Sequence, residues 1–189
     1  MRQAHLATVQ PVVRNGVDVT ALFATLDAVK AQPEIARFQF RARNRWQGGD
    51  HNHSTIDDFH GTLQDIPHTR AFELDNGEPP VLLGADEYPN PVEYVLHALI
   101  GCMTTTMAYH AAARGIDIEA IDSRLEGDLD LRGFLGLSND VRKGFSTIRV
   151  VMRVKSAGSA AVLRELTKFS PVYDIVSNSL PVEVRVETY

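Results

Sequence analysis

The side chain with the most chemical potential in this 189-residue chain is Cys102, its only cysteine. It sits in Gly101-Cys102-Met103-Thr104-Thr105-Thr106, midway along an apolar stretch. Two readings are open: a small core hydrophobe, or a nucleophilic thiolate, which needs a nearby cation and access to a substrate. With no second thiol in the chain, an intrachain disulfide and a multi-cysteine zinc site are both excluded. A lone cysteine is compatible with a reducing compartment.

Histidines supply the next candidates. His51-Asn52-His53 places two imidazoles on one face of a strand, with Asp57, Asp58 and His60 close in sequence. A divalent metal would accept such donors, although surface histidines beside a hairpin turn have the same spacing. His97 and His110 lie in the same apolar stretch as Cys102, either as satisfied core side chains or as an acid–base partner for the thiol. Arg41, Arg43 and Arg45 alternate along one strand face, which makes a solvated face or a contact for an anion.

These residues must be positioned by the elements that carry them. Asn90-Pro91-Val92-Glu93 is a helix start, with Asn90 as cap and Pro91 at the first helical position. The helix runs through YVLHALIGCMTTTMAYHAAA and ends at Arg114-Gly115, where glycine takes the left-handed conformation. A helix apolar on every side is buried, and a single sheet would leave part of it uncovered, so a partner subunit is expected to complete the burial.

Before it, Asp18 to Gln32 reads as an amphipathic helix with Leu22, Phe23, Leu26 and Val29 on one stripe, capped by Asp18 or Thr20 and stopped by Pro33. Residues 37–46 and 53–63 alternate as the strands of a hairpin turning at Gly48-Gly49, and Arg70 to Leu74 adds a third strand. Turn-forming residues then fill the stretch from Gly77 to Pro91. After the long helix come a strand from Ile116 to Leu131, a loop at Gly133-Phe134-Leu135-Gly136, and a strand from Phe145 to Val154. Two helices follow, over Ser159–Phe169 and from Ser170-Pro171 to Ser177, and then a last strand over Pro181–Val186. Hairpins on either side of helices, instead of strict alternation, predict an α+β fold.

Composition sets the bounds. With 44% hydrophobic and 23% charged residues the chain is an ordinary globular one, long enough for a core without staples. A net charge of −5 gives nucleic acid no general attraction. No stretch has the uninterrupted apolar run of a membrane span or the core of a secretory signal, so the expectation is a cytoplasmic protein that binds neither nucleic acid nor membrane.

The string Asn90-Pro91-Val92-Glu93 leading to Gly101-Cys102, then Arg114-Gly115-Ile116 and Ser170-Pro171-Val172-Tyr173, resembles the OsmC/Ohr family of hydroperoxide-handling proteins. Trp46-Gln47-Gly48-Gly49 is similar to that family's first hairpin. The likeness covers roughly Phe38 to Val186, which divides the chain into an N-terminal extension with one helix (1–35) and an OsmC-like domain (36–189).

The resemblance implies antiparallel sheets enclosing long buried central helices in an intertwined homodimer, with the active site at the subunit interface. No cofactor or metal is expected. It implies that a cysteine attacks the peroxide O–O bond, becomes a sulfenic acid and is resolved by a second cysteine. Cys102 falls at the reactive position and Ser170 at the resolving one, so an external thiol reductant would have to close the cycle. The family's glutamate falls at Val92, with Glu93 about 100° further round the helix. Its arginine falls near His51-Asn52-His53, so His53 would stand in or Arg45 would reach. Leu99, Met103, Phe134 and Leu135 are the expected greasy walls for an organic hydroperoxide. The competing expectation is a non-catalytic dimer that binds a small apolar or thiol-bearing ligand.

Overall fold

A computed structural model describes residues 11–188. The fold is α+β with antiparallel sheets, and the chain divides into two compact units, 1–95 and 96–189.

In the first unit a short ladder, β1 (Val13–Arg14) and β2 (Val17–Asp18), turns at Asn15-Gly16, both with positive φ. It leads into α1 (Val19–Ala31), where Asp18 caps by accepting the Ala21 N–H at 2.9 Å. Thr20 instead accepts the Val12 N–H at 3.2 Å. Pro33 ends the helix in a 3₁₀ turn, Pro33–Ala36. No residue of α1 is fully buried among the described residues; of its apolar stripe Leu22 and Val29 are half-buried, and Phe23 and Leu26 are exposed.

The main sheet of this unit is built on β5 (His51–Gly61). One edge of β5 pairs with β3 (Gln39–Phe40) and β4 (Arg43–Gly48), the other with β6 (Gln64–Asn76). The third strand is therefore longer than its alternation predicts. Pro67 within it is tolerated because β6 is an edge strand and Pro67 lies beside a register shift. Gly48 and Gly49 make the β4–β5 turn with φ of 118° and 56°, values open to glycine and costly for other residues.

The loop from Gly77 to Asn90 folds back on itself. A Cβ at Gly84 would lie 1.9 Å from the Glu78 carbonyl oxygen, so only glycine fits there. Asp50 holds this loop by accepting the Glu78 N–H at 2.9 Å.

Helix α2 (Pro91–Ala113) begins in the first unit and continues through the second. Its end follows the sequence expectation: Gly115 has φ +73°, and the Ile116 N–H reaches back to the Ala111 carbonyl at 2.9 Å. In the second unit β7 (Ile118–Asp128) and β8 (Thr147–Ser156) form a hairpin. The inward face of β8 alternates as its sequence predicts, with Ile148, Val150, Met152 and Val154 half-buried. Helix α4 (Ala160–Thr167), capped by Ser159, brings Leu163 and Leu166 against Met107 and Ala111 of α2 to form the core. Helix α5 (Pro171–Ser177) follows.

Two local expectations are corrected. Gly133-Phe134-Leu135-Gly136 is not a plain loop: Leu131–Phe134 forms a helical turn, α3, because Asp130 accepts the Arg132 N–H at 3.0 Å and starts it. Residues 181–186 carry a strand's alternation, yet they form no strand, since a strand needs a ladder partner and none is present among the described residues.

Candidate functional site

Cys102 is half-buried on α2. The pitch of the helix explains why. Leu99, Met103 and Met107 form the buried stripe, whereas Ala98, Gly101 and Thr105 are exposed, and Cys102 lies on the border between them. Beside it, a Cβ added at Gly101 would meet nothing within 4 Å, so the neighbouring surface is open. Among the described residues no hydrogen bond reaches the thiol.

Glu93 is on the first turn of the same helix, where its carboxylate accepts the Asn90 N–H at 2.9 Å while the Asn90 side chain accepts the Val92 N–H at 2.9 Å. This is a reciprocal capping box, which satisfies two backbone donors that the helix start leaves without partners. The Asn90 amide also donates to Glu78, whose carboxyl is pushed above its ordinary range by burial and by Asp50. Tyr94 donates its hydroxyl to the Asp75 carbonyl at 2.7 Å and ties the helix start to β6.

The imidazoles of β5 face carboxylates of β6. His53 Nδ1 lies 2.9 Å from Asp75 and its Nε2 lies 2.6 Å from Glu73. His51 Nε2 lies 2.7 Å from the same Asp75 oxygen, and its ring stacks on Tyr88 at 4.7 Å. Hydrogen bonds to Asp75 and then Glu73 raise the His53 pKa, and those from His51 and then His53 lower that of Asp75. Asp57 is instead paired with Arg43 at 2.5 Å, and His60 with Asp65 at 3.0 Å. The side chains considered for a metal thus separate into different partnerships. Among the described residues no group of three or more His, Cys, Asp or Glu side chains is arranged to hold an ion.

The three alternating arginines also divide. Arg41 bridges Asp58 at 3.0 Å and Asp65 at 2.8 Å, and Arg43 holds Asp57. Arg45, opposite His53 in the β4–β5 register, is exposed and makes no ion pair among the described residues.

Of the expected greasy walls, Leu99 and Met103 lie on the buried stripe beside Cys102, while Phe134 and Leu135 are 62% and 54% exposed. Ser170 is 1% exposed, and its Oγ accepts the Tyr173 N–H at 3.1 Å as the cap of α5. His110 stacks on Phe169 at 4.4 Å and accepts from Arg114 at 3.3 Å; burial, then the Arg114 charge, lower its pKa and favour the neutral ring. His97 is exposed. Asp75, Glu73 and Tyr94 were not singled out from sequence, and the signal that finds them is the β5–β6 register.

Residues 84–185 match the family profile of OsmC-like proteins, more than half of the chain. The chain belongs to the OsmC-like family. No curated protein matches it in sequence. Solved structures similar in fold include an OsmC-like protein from Mycoplasma pneumoniae, at TM-score 0.55 and 14% identity, covering 75% of this chain and 89% of that one. An OsmC-like protein of unknown function from Vibrio cholerae aligns at TM-score 0.51 and 12% identity, covering 77% and 95%. A protein from Psychrobacter arcticus aligns at 0.51 and 15%, covering 69% and 83%. The span matched to the OsmC-like family contains Glu93, Cys102, Phe134, Leu135 and Ser170, whereas Arg45 and His53 lie before it. No helix among the described residues is long and apolar enough to cross a membrane.

Proposed function

We propose that the protein is a one-cysteine thiol peroxidase that reduces organic hydroperoxides. The observation that carries this reading is the position of Cys102: in the matched span, on the border between the buried stripe and an open surface of α2. The thiolate attacks the distal peroxide oxygen, the O–O bond breaks, and the leaving alkoxide takes a proton, giving Cys102 sulfenic acid and an alcohol. Two equivalents of an external thiol then return the sulfenic acid to the thiol, releasing water and a disulfide. Leu99, Met103, Phe134 and Leu135 are assigned to the apolar part of the substrate, and Arg45 to the cation that holds the thiolate. What favours Arg45 is that, of the three alternating arginines, Arg41, Arg43 and Arg45, it alone lacks an acidic partner among the described residues.

The working form in this reading is a homodimer. Among the described residues, every fully buried hydrophobic side chain belongs to residues 96–188, and the sheet of residues 11–95 buries none. On α2, Val95 and Tyr109 are exposed, and the unpaired segment 181–187 exposes Val182, Val184 and Val186. A second copy is the natural cover for such surface. Because Cys102 contacts no cation within hydrogen-bonding distance among the described residues, and because Glu93 and His53 are already engaged, a second reading has support: a non-catalytic dimer that binds a small apolar or thiol-bearing ligand.

Cumene hydroperoxide consumption with dithiothreitol or glutathione decides between them. The peroxidase reading expects turnover and a dimedone adduct on Cys102, both lost in Cys102→Ser. No turnover with either thiol and no adduct would leave the binding reading.

A further inference from the structure

A cavity of about 350 Å³ lies wholly within the second unit and does not include Cys102. Met103 and Met107 of α2, Met152 and Val154 of β8, and Leu163 of α4 supply its apolar wall. All three methionines among the described residues meet there. Gly158 and Ala160, at the turn from β8 into α4, also line it.

The wall has one charged residue, Arg164. Its side chain is 78% exposed, so the residue lines the cavity where it meets solvent. Among the described residues Glu165 is its one acidic partner, at 4.0 Å, and that carboxylate is held more closely by Lys168 at 2.8 Å. The Arg164 charge is therefore available to a ligand.

We propose that this cavity is a binding site for an amphiphile with an unbranched apolar body and a single anionic head, the body among the methionines and the head on Arg164. Methionine suits a flexible chain because its unbranched, polarisable side chain adapts to irregular shapes. The volume lies at the lower end of the range for small-molecule pockets. At the ~30 Å³ that one molecule occupies in liquid water, it holds roughly a dozen non-hydrogen atoms, which is the size of decanoate. The site shares Met103 with the wall assigned to the peroxide, but Cys102 does not line it, so binding there needs no thiol.

The test is a titration of the full-length protein, labelled with ¹³C at the methionine methyl groups, with decanoate below its micelle concentration. Saturable shifts of the Met103, Met107 and Met152 resonances are expected, and equally so in Cys102→Ser. Arg164→Gln, a change at an exposed position, is expected to weaken decanoate at least tenfold while leaving decanol unchanged. Ala160→Trp is expected to block both ligands. Absence of saturable methyl shifts in the unaltered protein overturns the proposal. An Arg164→Gln protein that binds decanoate as before overturns the anionic head. Loss of binding in Cys102→Ser overturns the separation from the thiol. Peroxide turnover is read separately, so failure here leaves the peroxidase reading standing.

Discussion

His53 and Asp75 stand opposite each other in the β5–β6 register, with the imidazole Nδ1 2.9 Å from the Asp75 carboxylate. The other ring nitrogen lies 2.6 Å from Glu73. A ring with carboxylate oxygens at both nitrogens donates both bonds only when both carry protons, so the pairing selects the imidazolium. The backbone carbonyl of the same Asp75 accepts the Tyr94 hydroxyl, so the charged pair and the start of α2 share one residue.

A pH dependence of stability follows. The His53 pKa is raised above its ordinary 6.5, so its contribution is complete below that value and is lost as pH rises through the folded pKa. The Asp75 pKa is lowered below 3.8, so its contribution is present above that value and is lost as pH falls through the folded pKa. The urea midpoint is expected to decline as pH climbs from 6.5, and His53→Gln is expected to flatten that limb. A wild-type midpoint that is level over this limb counts against the pairing.

Glu93 gives a way to separate capping from catalysis. Glutamine also completes a capping box, so Glu93→Gln is expected to keep stability within about 0.5 kcal/mol. Asn90→Ala removes the cap and is expected to cost about 1 kcal/mol in urea denaturation. If the Glu93 charge serves the thiol, Glu93→Gln loses peroxide turnover with its stability intact; unchanged turnover assigns Glu93 to the helix start alone.

Ser170 is expected to matter for folding and not for the redox cycle. Its buried hydroxyl caps α5, so Ser170→Ala is expected to destabilise by about 1 kcal/mol. Peroxide turnover per folded molecule should stay the same, because a hydroxyl forms no disulfide. A turnover defect without a stability change would contradict this role.

Sequence and structure agree where the signal is local to the chain. Asn90, Pro91 and Gly115 bound α2 by their own backbone preferences, and the alternation of Ile148, Val150, Met152 and Val154 lies on one face of β8. The partners of His51 and His53 were not legible, because Asp75 and Glu73 lie twenty or more residues away and meet them only through strand register. The division among Arg41, Arg43 and Arg45 was hidden for the same reason. The last strand was misread because alternation in Val182, Val184 and Val186 reports a face to be buried, not a neighbour to pair with.

Arg45 is testable against Arg41, its acid-paired counterpart. If it holds the thiolate, Arg45→Gln is expected to lower kcat/KM for cumene hydroperoxide by ten- to a hundredfold, about 1.4–2.7 kcal/mol of transition-state stabilisation. Arg41→Gln, which removes a guanidinium already shared by Asp58 and Asp65, is expected to change stability more than turnover. Equal effects of the two substitutions on kcat/KM would reduce Arg45 to general surface charge.

The exposed face of α2 carries the last prediction. Tyr109 is 49% exposed, and on a free surface its replacement by glutamate is worth no more than about 0.5 kcal/mol. If a second copy covers this face, the same change places an unpaired charge in an apolar interface, which costs several kcal/mol. Sedimentation velocity is therefore expected to show a dimer for the unaltered chain and a shift toward monomer for Tyr109→Glu, with the helical circular dichroism retained. A dimer that survives the substitution at low micromolar concentration would place the subunit contact elsewhere and leave this face of α2 open to solvent beside Cys102.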